Sequence, residues 1–144
     1  VLATMVAAGV LLTALTTAHT EHHTLFGAPA AGAPAVSLRE APGVHLLGTE
    51  AVQVLNVSGS DELLGLGLTA AMVRYCARAE WAVTVEDMLA RRWRVLFLDA
   101  RLAEQMASRV AELLQQETGI DPALPAFLAL CRQYQLSPSD LAGS

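Results

Sequence analysis

Apolar side chains recur every three or four positions over most of the chain, which is the spacing of amphipathic helices. The clearest run opens at Thr69, a residue type that caps helix N-termini, and we expect it to end near 81–83. Met72, Val73 and Cys76 share one face of this run. The pattern therefore predicts a helix with one buried face.

Capping residues mark the starts of two further helices. Thr84 and Asp87 form a capping box of the Thr-x-x-acid type, and Asp87 and Arg91 can pair one turn apart. Asp99 can cap the helix that follows. The apolar positions of that helix are Leu102, Met106, Val110, Leu113 and Leu114.

Other breaks in the periodicity predict where helices end and restart. Gly119 followed by Ile120 resembles a Schellman-type end, and Asp121–Pro122 supplies an N-cap and a first-position proline for another helix. Upstream, Thr49 can cap a helix that runs to about Val57. These signals divide the chain into short helices with short links.

The stretch Trp93–Leu98 is apolar except for Arg94, and it fits either a short buried strand or a helical connector. We favour the helix, because the chain offers no second strand to pair with it. The predicted fold class is therefore all-α, a compact bundle of five to six helices with an irregular N-terminal loop region. We expect a helix over 1–20, a loop or linker over 21–43 and the helical domain over 44–144.

The first stretch, Val1–Thr20, contains no charged residue and is long enough to span a membrane. Five threonines make it less apolar than most spanning helices, and it lacks the basic start of a signal peptide. We favour a helix that packs closely on other protein over a membrane segment or a targeting segment.

Composition narrows the class of protein and of partner. The 144 residues are 53% hydrophobic and 16% charged, which fits one folded domain and excludes disorder over the whole chain. Nine basic and 14 acidic residues leave a net charge of −5, which argues against nucleic acid or an anionic membrane surface as the main partner. Cys76 and Cys131 form no motif and are expected to be buried, reduced thiols.

The sequence contains few candidate catalytic or metal-binding residues. His19 and His23 stand one helical turn apart and are weak zinc ligand candidates, since a third ligand would have to come from His45 or a distant carboxylate. The simpler interpretation is a polar helix end. No nucleophile elbow or phosphate loop occurs in the sequence, so we assign no catalytic and no cofactor-binding residue.

Arginines and acidic residues crowd into the stretch 74–94, between two predicted helices and beside Trp81 and Trp93. Arginine pairs carboxylates in a fork geometry that suits partly buried junctions, so we predict a structural or interdomain ion network. The alternative is an anion site. The residues assigned to the network are Arg78, Glu80, Asp87, Arg91, Arg92 and Arg94.

The same stretch resembles a known family signature. Its spaced matches are Val73, Tyr75, Arg78, Glu80, Ala82, Thr84, Glu86, Asp87, Leu89, Arg91, Arg92, Arg94 and 96–99. They are similar to the pattern of the C-terminal helical domain of bacterial FAD-dependent, quinone-linked glycerol-3-phosphate dehydrogenases. The turn 45–48 and the helix end 117–119 also resemble the family, which extends the likeness over residues 44–121. Trp93 stands where the family usually has threonine.

This resemblance implies a parent enzyme that oxidises sn-glycerol 3-phosphate to dihydroxyacetone phosphate and passes electrons through FAD to quinone. It implies that this chain is a non-catalytic domain whose partners are the flavin and substrate domains, with FAD bound there. The parent would be oligomeric, cytoplasmic and peripherally bound to the inner face of the membrane. The alternative is a stand-alone helical module that binds protein or an anion through its arginines.

Overall fold

The computed structural model describes Leu25 and residues 27–29, 32–33 and 39–135, so the predicted helix over 1–20 lies outside the described residues. The described part is helical apart from one small hairpin, which confirms the all-α prediction. Its elements are a 3₁₀ segment (Val44–Glu50), α1 (Ala51–Leu55), β1 (Leu63–Gly65), β2 (Leu68–Thr69), α2 (Ala70–Ala79), a π-helical segment (Asp87–Arg92), α3 (Val95–Leu98), α4 (Ala100–Thr118) and α5 (Leu124–Tyr134).

The long helix α4 is the centre of the fold, and α2, α3 and α5 all pack against it. Its predicted apolar face is confirmed, because Met106, Val110, Leu113 and Leu114 are buried and Leu102 is partly buried. Each fully buried leucine contributes about 1.5–3 kcal/mol relative to an exposed one. The core therefore forms where the 3.6-residue pattern of α4 meets the helices around it.

Three of the predicted helix starts are confirmed by side-chain hydrogen bonds. The Thr69 hydroxyl accepts from the Met72 amide at 3.3 Å, and the Asp99 carboxylate accepts from the amides of Arg101 and Leu102. In the predicted capping box, the Thr84 amide donates to the Asp87 carboxylate at 2.9 Å, and the Asp87 amide donates to the Thr84 hydroxyl at 3.1 Å. These bonds satisfy amides that no preceding turn can reach.

Helix α2 ends two to four residues earlier than predicted. It stops at Ala79, because Trp81 takes a left-handed conformation with φ of 56° that a helix cannot include. The stretch Val95–Leu98 is helical, as we favoured, and Arg94 before it is also left-handed.

The helix predicted from Thr49 to Val57 is wrong in both its cap and its length. Thr49 lies inside the 3₁₀ segment, and α1 ends at Leu55. Gly48, immediately before Thr49, interrupts the 3₁₀ segment with φ of 58°, and a Cβ on it would overlap the carbonyl oxygen of Gly27. The close approach of residue 27 therefore decides this boundary, and periodicity could not reveal it.

The hairpin β1–β2 was not predicted. The strands pair antiparallel, with Leu63 opposite Thr69, around a turn in which Leu66 and Gly67 both have positive φ. Such a turn matches the twist of a tight hairpin. Strands of three and two residues are too short to show the alternation that marks a strand in a sequence.

The end of α4 and the start of α5 differ from the prediction in detail. Gly119 ends α4 with φ of 70°, but its amide bonds to Gln115 in the simpler left-handed cap, and the amide of Ile120 turns to the Thr118 hydroxyl. Asp121 forms a local turn with the amide of Ala123, so α5 begins at Leu124 rather than Pro122.

Candidate docking surface

The predicted ion network separates into independent groups in the structure. Arg74 and Arg78 of α2 both bind Glu117 of α4, each with a nitrogen to oxygen distance of 2.6 Å. The hydrogen bond from Arg78, joined by that from Arg74, lowers the pKa of Glu117 below its usual range. Glu117 was not among the predicted residues, because it lies 39 and 43 positions from its partners.

Two further groups stay within the stretch that carries the family signature. Arg92 binds the Glu80 carboxylate at 3.2 Å and also donates to the Glu80 backbone carbonyl. Arg91 binds Asp87 at 3.1 Å and Glu86 at 2.9 Å on the surface. Burial opposes ionisation of Asp87, but hydrogen bonds from the Thr84 amide and hydroxyl and from the Val83 amide, with Arg91, lower its pKa.

Arg94 differs from the other predicted arginines. Within residues 39–135 it makes no ion pair, and its guanidinium lies 5.9 Å from the centroid of the Phe97 ring. Phe97 meets Tyr134 edge to face with centroids 5.5 Å apart, and both rings are about half exposed. Four of the five clustered arginines are therefore committed to carboxylates, which leaves little free charge for an anion.

A buried carboxylate that the sequence did not reveal joins the 3₁₀ segment to α2. Glu50 is 9% exposed and accepts hydrogen bonds from the Tyr75 hydroxyl at 2.7 Å and from Gln53 at 2.6 Å. Burial and this hydrogen bond raise the pKa of Tyr75 to about 12. The phenol therefore stays protonated and acts as a structural donor.

An apolar cavity of about 290 Å³ opens between the 3₁₀ segment, α2 and α3. We call it the docking groove. It includes the buried side chains of Met72, Cys76 and Met88, and the exposed side chains of Leu46 and Leu98, which are 58% and 71% exposed. The remaining lining residues are Pro42, Leu47, Leu66, Glu80, Arg92 and Trp93.

Trp93, which flanks the arginine-rich stretch, is fixed in the groove wall by an indole hydrogen bond of 2.8 Å to the Leu66 carbonyl. Trp81 instead projects outward and is 82% exposed. The two tryptophans therefore have different structural roles. One shapes the groove, and the other presents a large apolar side chain to solvent.

The cysteines are free and buried, as predicted. Burial, assisted by Glu80, raises the pKa of Cys76 to about 12, so this thiol is neutral and a poor nucleophile near neutral pH. His19 and His23 lie outside the described residues. Within the described residues no three His, Cys, Asp or Glu side chains gather to hold a metal ion.

No helix in the described ranges is long and apolar enough to cross a membrane. Large apolar side chains are exposed on several elements, and Phe97 and Leu98 are neighbours in α3. Those beside or near the groove are Leu46, Phe97 and Leu98.

Comparisons with known proteins agree with the signature between residues 73 and 99. The chain is 41% identical over 61 residues to the mitochondrial glycerol-3-phosphate dehydrogenase of Schizosaccharomyces pombe, covering 42% of the chain and 9% of that protein. It is 37% identical over 79 residues to the mitochondrial glycerol-3-phosphate dehydrogenase SDP6 of Arabidopsis thaliana, covering 51% of the chain and 12% of that protein.

The chain thus spans about a tenth of the length of these relatives. No solved structure matches it significantly. A family described as the C-terminal domain of alpha-glycerophosphate oxidase matches residues 18–124, which is most of the chain. On that match, the chain belongs to the family of C-terminal domains of alpha-glycerophosphate oxidase.

Proposed function

We propose that this chain is the non-catalytic C-terminal helical domain of an FAD-dependent glycerol-3-phosphate dehydrogenase. Its parent would oxidise sn-glycerol 3-phosphate to dihydroxyacetone phosphate, with electrons passing through FAD to quinone. Family membership and the two dehydrogenase relatives support this assignment. Residues 1–20 would form the end of the flavin domain, 21–43 would link it to the helical domain, and 44–144 would form the helical domain.

The observation that carries the docking role is the apolar groove beside surfaces whose charges are already paired. Leu46 and Leu98 lie at the groove with most of their side chains in water, which is unfavourable unless another surface covers them. The Cys76 thiol in the groove stays protonated, so it offers no nucleophile near neutral pH. The groove therefore suits packing against the flavin and substrate domains better than chemistry.

The cofactor, location and assembly of the parent follow from the same proposal. FAD would be bound by the preceding domains and not by this one. The parent would belong to the bacterial branch, act in glycerol metabolism, form oligomers and lie in the cytoplasm, peripherally on the inner face of the membrane. No nucleic acid would bind, consistent with the net charge of −5.

The assignment is tested by two measurements on the purified 144-residue chain. First, the chain is titrated calorimetrically with FAD and with glycerol 3-phosphate, and we expect no heat of binding from either. Second, a tagged copy is co-expressed with the flavin and substrate domains of its parent, and we expect the two polypeptides to co-purify. Leu98→Asp should weaken this association, whereas Leu63→Asp, on the exposed hairpin and outside the groove, should not. Saturable FAD binding by the chain alone would contradict the proposal.

A second candidate function, a stand-alone binding module, rests on Arg94. Its guanidinium has no carboxylate partner in residues 39–135, and it lies over an exposed aromatic ring. An acidic peptide segment with an aromatic residue would suit this pair. Binding of inorganic phosphate or of such a peptide that is lost in Arg94→Gln, but retained in Arg101→Gln, would favour this candidate.

A further inference from the structure

We propose that Trp81 is the anchor residue through which this domain docks on the polypeptide that carries the flavin and substrate domains of its parent. The indole would enter an uncharged, apolar pocket of that polypeptide. The inference rests on the proposed function and deepens it, because it assigns the contact to one side chain and states the chemistry of the surface that receives it.

Trp81 is unfavourable for the isolated domain in two respects. Its side chain is 82% exposed, the largest exposed fraction among the large apolar residues of the described ranges. Its φ of 56° lies in the left-handed region, where a side chain is disfavoured and glycine is not. A glycine would avoid both costs and would end α2 equally well. An apolar side chain kept in such a place indicates a role in binding rather than in folding.

The backbone on both sides of Trp81 is held in place. The amides of Glu80 and Ala82 both donate to the Cys76 carbonyl, at 3.0 and 3.1 Å. The Ala82 side chain is fully buried, and Arg92 binds the Glu80 carboxylate at 3.2 Å. The indole therefore extends from a fixed backbone, which reduces the conformational entropy that docking would remove. Tryptophan in this setting is typical of the residues that dominate the binding energy of an interface.

The surface around Trp81 favours an uncharged partner. A depression of about 320 Å³ lies beside the indole, and Ile120 on its wall is 50% exposed. The other uncharged lining residues are Ala77, Val83 and Thr118. The charged ones are Arg78 and Glu117, which bind each other at 2.6 Å. A charged group facing them would lose hydration without meeting an unpaired counter-charge, whereas an apolar pocket would cover both Trp81 and Ile120.

Two observations favour the parent's own domains as this partner. Glu80 lines the docking groove and Trp81 follows it directly, so the groove and the Trp81 surface adjoin at the end of α2. A partner that covers the groove is therefore within reach of the indole. The chain also spans only 9% and 12% of the two dehydrogenase relatives. In a protein of that length the remaining polypeptide is held at a high effective concentration beside this domain, an advantage that a separate partner lacks.

Fluorine NMR of the 144-residue chain labelled with 5-fluorotryptophan tests the proposal. The chain has two tryptophans, so the spectrum contains two resonances, and Trp81→Phe identifies the one that belongs to Trp81. In the chain alone, this resonance should shift between H2O and D2O as that of an exposed indole does. Addition of the unlabelled polypeptide with the flavin and substrate domains should move the resonance and remove most of its solvent shift. Because the label is confined to this chain, tryptophans of the partner do not interfere.

Variants measure how much the indole contributes to the association. Trp81→Ala should weaken it at least about thirtyfold in biolayer interferometry, because an anchor of this kind carries a large share of the binding energy. Trp81→Phe keeps an aromatic side chain and should retain the affinity within about fivefold. Leu63→Ala is the matched control, because this residue is 67% exposed and lies outside both the groove and the depression. It should change the affinity by less than about twofold, and circular dichroism should show that each variant is folded.

Several results would overturn the inference and leave the proposed function standing. One is a Trp81 resonance that keeps its full solvent shift in the complex, and another is an affinity of Trp81→Ala within about twofold of that of the unmodified chain. Loss of the solvent shift on concentrating the chain alone would assign the contact to a second copy. Loss of the shift only with phosphatidylcholine vesicles would assign it to a membrane surface. If the unmodified chain does not bind the partner polypeptide at all, the proposed function and this inference both fail.

Discussion

The surface where α2 meets α4 and the surface around the docking groove differ in how much of each the domain itself covers or pairs. On the first, Arg74 and Arg78 share the carboxylate of Glu117, so the charges are satisfied within the domain. On the second, the charged pair Glu80 and Arg92 is also closed, but Leu98 remains in water. On the first surface the carboxylate and both guanidinium groups are paired within the domain, although Arg74 Nε has no hydrogen-bond partner among the described residues. On the second surface a large apolar side chain stays exposed.

The largest effect is expected from breaking the first surface at its centre. Glu117→Ala leaves two arginines without their carboxylate, and Glu117 itself is only 11% exposed, so the free energy of unfolding should fall by about 2–3 kcal/mol. Urea denaturation measures the loss. Glu112→Ala is the control, because that side chain is 60% exposed on the same helix and should change stability by less than about 0.5 kcal/mol. Equal losses in the two variants would show that Glu117 stabilises the domain no more than an exposed carboxylate does.

The same ion pairs predict a dependence of stability on acid. The pKa of Glu117 is lower in the folded state than its ordinary value of 4.5, so the folded state binds this proton more weakly than the unfolded state does. Its contribution is present above pH 4.5 and is lost as pH falls through the lower folded value. Thermal unfolding between pH 7 and 3 should therefore show a smaller acid-induced decrease in Glu117→Gln. An identical decrease in the two proteins would show that other carboxylates cause the loss of stability in acid.

The junction between the 3₁₀ segment and α2 carries a smaller contribution from a neutral donor. Tyr75→Phe removes the hydrogen bond of 2.7 Å to the buried Glu50 carboxylate, and stability should fall by about 1–2 kcal/mol. Gln53→Leu removes a second donor to Glu50, from a more exposed position, and should lower stability less. Chemical denaturation of both variants decides the order. A larger loss in Gln53→Leu would show that the main support of Glu50 comes from the adjoining helix α1.

The smallest effect should have the opposite sign. Trp81 is 82% exposed and takes a positive φ that costs a residue with a side chain about 1 kcal/mol, so Trp81→Gly should stabilise the isolated chain by about 0.5–1 kcal/mol. A raised melting temperature together with weaker association with the flavin domain would indicate that the exposed ring serves docking. A lowered melting temperature would show that the indole stabilises the domain despite its exposure.

Particular residues show how far sequence reasoning reached. The caps at Thr69, Thr84 and Asp99 can be predicted from the sequence, because the donor and the acceptor lie within three residues of each other. The apolar face of α4 was readable for the same reason, since its period is set by the helix itself. The pairing of Glu117 with Arg74 and Arg78 cannot be predicted from the sequence, because several carboxylates could pair with those arginines.

The candidate site was predicted less completely than the fold. The sequence marks the arginine-rich stretch and its neighbouring tryptophans as a candidate site. The groove beside them, however, is formed by residues from four separate parts of the chain. Pro42, Leu66 and Leu98 carry no common pattern, and only packing brings them together. The family signature located the stretch without revealing its shape.

By itself, the sequence determined the helical class, the main helix starts, the reduced thiols and the family, because each depends on short-range spacing or on matches along the chain. The tertiary structure alone decided the break at Gly48, the hairpin, the partner of the α2 arginines and the existence of the groove. Each of these depends on the approach of segments distant in sequence. That approach is set by the packing of the whole domain, which no local pattern encodes.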